Sequence, residues 1–266
     1  MREANHLNKN KAHLLSGATR PPSISKQIEK NKHLVLSEIE QKGHDIQQVE
    51  AVFSTLPKDY FLRYETEDIL WHLWLVMKPT DKKTRVASRL SEHNVVDIFV
   101  YGDDSKGLFF KLVSIIEKLG LDIVDAKILT TKDRKAYNTI SVLQDDILEQ
   151  INIGQKIEDD LSQKILSVKE AGDKLAHRHF DHKMKISFSH NEKWNLTQVE
   201  INVVDKQGLL SNIAYIFHQL DIHLVNARIT TMGERVEDIF FISNIKKQPL
   251  STVEEKQLKQ TLEEKL

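Results

Sequence analysis

The sequence predicts an α+β chain in which a helical first third precedes two tandem copies of a strand–helix–strand–strand unit. Three observations predict it. Helical spacing and proline stops dominate as far as Pro79, β-type runs begin beyond Ser91, and the pattern that follows recurs about 101 residues later, so that Asp104 is echoed by Asp205. The 266 residues suit two or three compact units. With 40% hydrophobic and 29% charged residues, the composition is that of an ordinary globular chain.

From Met1 to about Pro22 the chain is polar and basic, a frayed arm ended by Pro21-Pro22. Ile28, Leu34, Val35 and Ile39 then give a first helix closed by Gly43. Asp45 is placed to cap a second helix through Val49, Val52 and Phe53, which Pro57 ends. A third helix opens at Thr66 with Glu67 and Asp68, carries Trp71, His72, Trp74 and Met77, and stops at Pro79. Lys78, Lys82, Lys83, Arg85 and Arg89 then form a basic stretch, read as a solvated linker in preference to a nucleic-acid contact.

In the first unit, a strand over Val95 to Tyr101 feeds the turn at Gly102-Asp103-Asp104. Leu108, Leu112, Ile115, Ile116 and Leu119 then make one apolar helix face, closed by Gly120. Strands near Asp122–Thr131 and Ala136–Leu143 follow as a hairpin turned by Lys132 to Lys135. Ile157, Leu161, Ile165 and Val168 predict a second helix, and Met184 to Ser189 a fourth strand, completing a βαββαβ unit. The second copy has a strand over Gln198–Val204, a helix from Gly208 on the matching Leu209, Ile213, Ile216, Phe217 and Leu220, and strands near Ile222–Thr231 and Arg235–Ser243. A final helix is expected over Thr252–Leu266, with no evident fourth strand. The domain boundaries expected are 1–90 for the arm and helical segment, 91–190 for the first unit and 191–266 for the second.

Lys and Arg number 38 against 39 Asp and Glu, so no net field draws the whole chain to nucleic acid or an acidic membrane. The absence of cysteine excludes disulfides and a thiol nucleophile. With neither a signal peptide nor a long apolar run, a cytoplasmic location is expected. No phosphate loop, nucleophile elbow or dinucleotide turn occurs, and no catalytic site is visible. His177, His179 and His182 are read as a polar connection in preference to a metal site, and no cofactor is expected.

The repeated Asp-x-x-Gly-Leu turn has a physical use: glycine permits the tight entry into a helix whose first N–H groups lack partners, and such an end attracts anions. A free amino acid could place its carboxylate at Gly107 and Leu108 and its ammonium on Asp104 or Asp122. The second copy offers Asp205, Gly208 and Leu209, with His223 as a further candidate. The alternative is that both aspartates only cap helices and both glycines only allow a turn. Asn138 and Asp238, which interrupt the third strand of each unit, either reach a ligand or are locally hydrogen-bonded strand residues.

The repeated unit resembles an ACT domain, a ferredoxin-like βαββαβ module that often binds amino acids between copies. Leu56-Pro57-Lys58-Asp59-Tyr60-Phe61-Leu62-Arg63, Ile69-Leu70-Trp71-His72 and Gly233-Glu234-Arg235-Val236-Glu237-Asp238-Ile239-Phe240 resemble segments of the bifunctional uridylyltransferase/uridylyl-removing enzymes of nitrogen regulation. The resemblance implies the regulatory part of such an enzyme, with two ACT units that bind glutamine. The catalytic domains, which in that family modify the PII signal protein and use Mg²⁺, would lie outside these residues. PII protein, a catalytic domain or a second ACT unit are the partners it implies, without nucleic acid or membrane. The family's usual Asp-Arg-Pro-Gly-Leu is Asp104-Ser105-Lys106-Gly107-Leu108 here, and loss of the proline loosens the turn. Three arrangements follow: a regulatory fragment or truncated family member, a stand-alone ACT interaction protein without glutamine sensing, or one piece of a longer reading frame in which Met1 is internal.

Overall fold

The computed structural model describes residues 24–42, 45–91, 94–105, 107–144, 147–162, 184–192, 194–204, 208–229, 231–232 and 235–266. The expected arm, Gly43, Ile165, Val168 and the histidines at 177, 179 and 182 lie outside them. The chain divides into two compact units, residues 1–52 with 58–70, and residues 53–57 with 71–266.

In the smaller unit, α1 (Ile24–Gln41) buries Ile28, Val35 and Ile39 at helical spacing, and α2 (Ile46–Thr55), whose last three residues belong to the larger unit, begins where the Asp45 carboxylate accepts the Gln47 N–H at 2.9 Å. The short α3 (Tyr60–Arg63) buries Tyr60 and Phe61, and Asn31 donates to the Phe61 carbonyl at 2.6 Å. The Tyr60 ring meets Phe61 edge-on at 5.2 Å and Tyr64 at 5.0 Å, favoured geometries for quadrupolar rings. The aromatic run at 60–64 is therefore a core element.

The larger unit contains one antiparallel sheet of nine strands. Its first half comprises β1 (Arg85–Leu90), β2 (Val95–Asp103), α5 (Leu108–Lys118), β3 (Asp122–Lys127), β4 (Lys135–Leu143) and α6 (Ile147–Ser162). Its second half comprises β5 (Lys185–Asn191), β6 (Leu196–Val204), α7 (Leu209–Gln219), β7 (His223–Arg228), β8 (Thr231–Met232), β9 (Arg235–Ser243) and α8 (Thr252–Lys265). The strand order is β1-β2-β4-β3-β7-β9-β6-β5, with β8 on β9. Each half thus has the edge–first–third–second order of a ferredoxin-like unit, and the α+β architecture is the one the sequence predicts.

The edge strands differ from expectation. The strand expected at Met184–Ser189 exists as β5, but it pairs with β6 and is not the fourth strand of the first unit. Beside β2 that place is held by β1, so each half takes its edge strand from the residues just before it. A local hairpin closes at less entropic cost than a return from a distant segment. Both hairpins carry a left-handed asparagine at the repeat offset, Asn94 at φ 67 and Asn195 at φ 52.

Two of the five cations in the basic stretch read as a linker, Arg85 and Arg89, lie in β1. Arg85 donates to the carbonyls of Leu75, Val76 and Lys78, capping the end of α4 (Thr66–Met77), and lies over the Tyr101 ring at 5.1 Å. Arg89 lies 4.3 Å over Trp71 and 3.3 Å from Asp97. Lys82 pairs with Glu158. These cations hold α4, β1 and α6 to the sheet.

Two faces carry the packing. One is the continuous apolar core beneath the helices, from Val96, Ile98, Val100, Leu112 and Ile116 through Ile140 and Ala126 to Ala227, Phe240, Ile213 and Leu258. On the other face of the first half, His72 stacks on Phe99 at 3.9 Å and its Nε2 lies 3.3 Å from the Thr139 hydroxyl. Burial, reinforced by Arg89 and Lys127, pushes the His72 pKa well below 6.5. The folded state holds this ring neutral, so the unfolded chain takes up the proton first: the stability is full above the unfolded pKa and is lost as pH falls below it. Between about pH 7 and about pH 5 the melting temperature should fall by about 3 °C or more, and His72→Phe should remove most of that slope. Equal slopes in the two proteins would contradict the assignment.

Candidate functional site

The two halves meet along β3 and β7, with Ala126 opposite Ala227, Asp125 opposite Arg228 and Lys127 opposite Asn226. Ile128 N–H donates to the Val225 carbonyl at 3.1 Å, and Ile229 N–H to the Val124 carbonyl at 3.2 Å. Residue 126 plus 101 is 227, and each of these bonds maps onto the other by the same offset. The seam therefore has an internal two-fold axis at the Ala126–Ala227 pair.

The repeated turns have the conformation their glycines predict. Gly107 has φ 83 and Gly208 φ 86, both left-handed, and each is the N-cap of its helix without a side-chain cap. Asp104 is therefore not the cap of α5. Its carboxylate accepts from the Thr130 hydroxyl at 2.7 Å, and its N–H donates to the Arg134 carbonyl at 3.0 Å, so it ties the end of β2 to the β3–β4 connection. Leu108 is half-buried and its N–H is bonded to the Ser105 carbonyl at 3.0 Å. Leu209 is buried, and Asp205 lies outside the described residues.

Asp122 and His223 are exposed at the starts of β3 and β7. Asp122 is opposite Leu143, which is opposite Val95, so it sits at the far end of the sheet from Asp104. The nine residues of β2 separate the two levels by about 30 Å. One amino acid cannot touch both. Because β7 runs antiparallel to β3, however, His223 of the second half lies at the sheet end that carries the first glycine turn. Asp122 likewise lies at the end that carries the second. Any site that includes these residues is built across the seam.

One internal contact was not foreseen. Glu117, in the last turn of α5, accepts the Ser211 N–H at 3.1 Å through Oε1 and the Ser211 hydroxyl through Oε2, so a carboxylate from the first half stands at the N-terminus of α7. The only sequence signal was the one acidic residue of a helix that also carries Lys111, Ser114 and Lys118. Asn138, 3% exposed on the core face, accepts the Leu129 N–H at 3.3 Å, which resolves it as a locally bonded strand residue. Asp238 is buried on the matching face opposite Ile201. Among the described residues no cluster of His, Asp and Glu could hold a metal ion, and no helix is long and apolar enough to cross a membrane.

A helical segment followed by two ferredoxin-like units paired side by side defines a tandem ACT-type module. A family model described as the uridylyltransferase GlnD fifth domain matches residues 23–73. The bifunctional uridylyltransferase/uridylyl-removing enzyme of Pseudomonas entomophila is 31% identical over 252 residues, 90% of this chain and 28% of that protein. The same enzyme from Pasteurella multocida is 31% identical over 82% of this chain and 26% of its own length, and that of Vibrio campbellii 29% identical over 95% and 30%. The chain thus spans less than a third of the length of these relatives. Aspartate kinase from Synechocystis aligns over 74% of this chain and 31% of that one at 13% identity with a TM-score of 0.36. Over most of its own length the chain is similar to the C-terminal part of the bifunctional uridylyltransferase/uridylyl-removing enzymes.

The left-handed turns set a test. Gly107→Ala and Gly208→Ala should each lower unfolding free energy by about 1–2 kcal/mol in urea titrations, because a Cβ is strained at positive φ. A change of only a few tenths at both would contradict the turn geometry.

Proposed function

We propose that these residues form the amino-acid-sensing regulatory region of a PII uridylyltransferase/uridylyl-removing enzyme, and that glutamine is the ligand. The observation that carries the reading is the pair of left-handed glycine turns, each opening a helix, related by the two-fold seam in a chain akin to the C-terminal region of those enzymes. Glutamine offers a carboxylate for the first-turn donors of α5 near Gly107 and Leu108, and an ammonium for the acidic end formed by Asp104. His223, at the same end of the sheet, is the residue the second half would contribute. Asp122, with Gly208 and Leu209, makes the corresponding set at the other end, to which the sequence repeat adds Asp205.

In this reading the module passes ligand occupancy to a catalytic domain or to the PII signal protein, and association with further ACT units is open to it. It operates in the cytoplasm and calls for no cofactor, nucleic acid or membrane. A second reading, an ACT interaction protein that senses no amino acid, is favoured by one feature: Asp104 and the start of α7 already have internal partners in Thr130 and Glu117.

Titration calorimetry with a panel of amino acids separates the two. Glutamine should give saturable heat at millimolar concentration or below, and Asp104→Asn should weaken it roughly tenfold, about 1.4 kcal/mol. Absence of heat with every amino acid, together with firm dimerisation, would support the second reading.

A further inference from the structure

The connection between β3 and β4 is bonded at its base and at its tip to different parts of the larger unit. At the base is Asp104 of the first glycine turn. The Thr130 hydroxyl donates to the Asp104 carboxylate at 2.7 Å, and the Asp104 N–H donates to the Arg134 carbonyl at 3.0 Å. At the tip is Lys132, whose N–H donates to the Thr55 carbonyl at 2.9 Å and whose Nζ donates to the Ser54 carbonyl at 2.8 Å. The last carbonyls of a helix find no donor within it, and a cation there complements the helix dipole. Lys132 therefore caps the C-terminal end of α2.

Between base and tip the connection is stiff. Thr131 is 3% exposed; its hydroxyl accepts the Lys135 N–H at 2.8 Å and donates to Asp133 at 2.5 Å, and its N–H reaches the Lys135 carbonyl at 2.8 Å. The Arg134 N–H returns to the Thr131 carbonyl at 3.0 Å, with Arg134 left-handed at φ 62. A turn bonded this closely moves as one piece. Ser54 and Thr55 belong to the larger unit, whereas α2 begins in the smaller one, so the capped helix is continuous across the boundary.

We propose that this hairpin is the relay by which the first turn reports its occupancy: Asp104 held by Thr130 and Lys132 docked on the end of α2 form one two-state element, and an amino-acid ammonium on Asp104 favours the docked state. A carboxylate already oriented by Thr130 binds an ammonium without the cost of ordering it. By linkage the effect is reciprocal, so undocking Lys132 weakens the ligand as much as the ligand tightens the docking. The ligand rests on the amino-acid-sensing reading, whereas the coupling of Asp104 to Lys132 rests on bonds within the chain. Thr130 and Lys132 are positioning residues that act through Asp104.

The experiment has two arms on the whole chain. Without ligand, Thr130→Val removes the hydroxyl at near-constant volume and should speed amide exchange at Lys132 by about fivefold or more, with the amides of β9 unchanged, and Thr130→Ser should restore the unaltered rate. Lys132→Ala should in turn speed exchange at the Asp104 amide. An unaltered rate at either amide, or equal acceleration throughout the larger unit, overturns the relay. Should Thr130→Val fail to fold, Lys132→Ala carries the test, because the Lys132 side chain is exposed. In the second arm glutamine should slow exchange at Lys132, and Lys132→Ala should bind it about fivefold more weakly in calorimetry. Heat without either change overturns the relay and leaves glutamine sensing standing. No heat with any amino acid, while the ligand-free coupling is present, overturns the sensing reading and the ligand's hold on the relay, and the coupling of Asp104 to Lys132 stands.

Discussion

Everything in the larger unit depends on the short antiparallel pairing of β3 with β7. Each strand is internal to its own half only if the other covers it; alone, each would be an open edge of unpaired N–H and C=O groups. The pairing places Ala126 against Ala227 on the core face, where two small side chains let the helices above approach one another. It makes one core of two and fixes the relation between the glycine turns, which lie at opposite ends of the sheet. It also carries His223 to the first turn's end and Asp122 to the second's. A site made of these residues could not exist in either half alone.

The symmetry is in the backbone and stops at the side chains. In the first half the sheet face away from the helices is aromatic, Phe99, Tyr101 and Tyr137, and carries Trp71 and His72 of α4. The matching positions in the second half are Glu200, Asn202 and Glu237, a solvent-compatible set. Between the helices, Glu117 meets Ser211, whereas Phe110 meets Tyr215. The first half is clamped by cations and aromatics, and the second takes a carboxylate of the first half at the start of its helix.

Much of the fold could be read from the residues. Leu108, Leu112, Ile116 and their repeats at 209, 213 and 217 gave the helix faces, and the alternation in 136–143 and 235–243 gave the central strands, the first of which begins one residue earlier, at Lys135. What could not be read is set by partners distant in sequence. Arg85-Val86-Ala87-Ser88-Arg89-Leu90 alternates too weakly to declare a strand, and its arginines serve a helix end and a ring that only the fold brings near. Alternation likewise marked β5 as a strand without saying which neighbour it would take; the left-handed Asn94 and Asn195 were the available clue. In the candidate site, the glycine turns were legible because φ near 85° is a local property. The separation of Asp104 from Asp122 and the Glu117–Ser211 contact were not, because both are products of the sheet order and the seam.

The most direct measurement of the central claim is amide hydrogen exchange at Ile128 and Ile229, whose N–H groups bridge the seam in symmetric positions. The account predicts strong protection at both, of similar size, lost together as the unit unfolds. Fast exchange at these amides while the interior amides of β4 and β9 stay protected would show that the halves do not share one sheet, and would contradict the account.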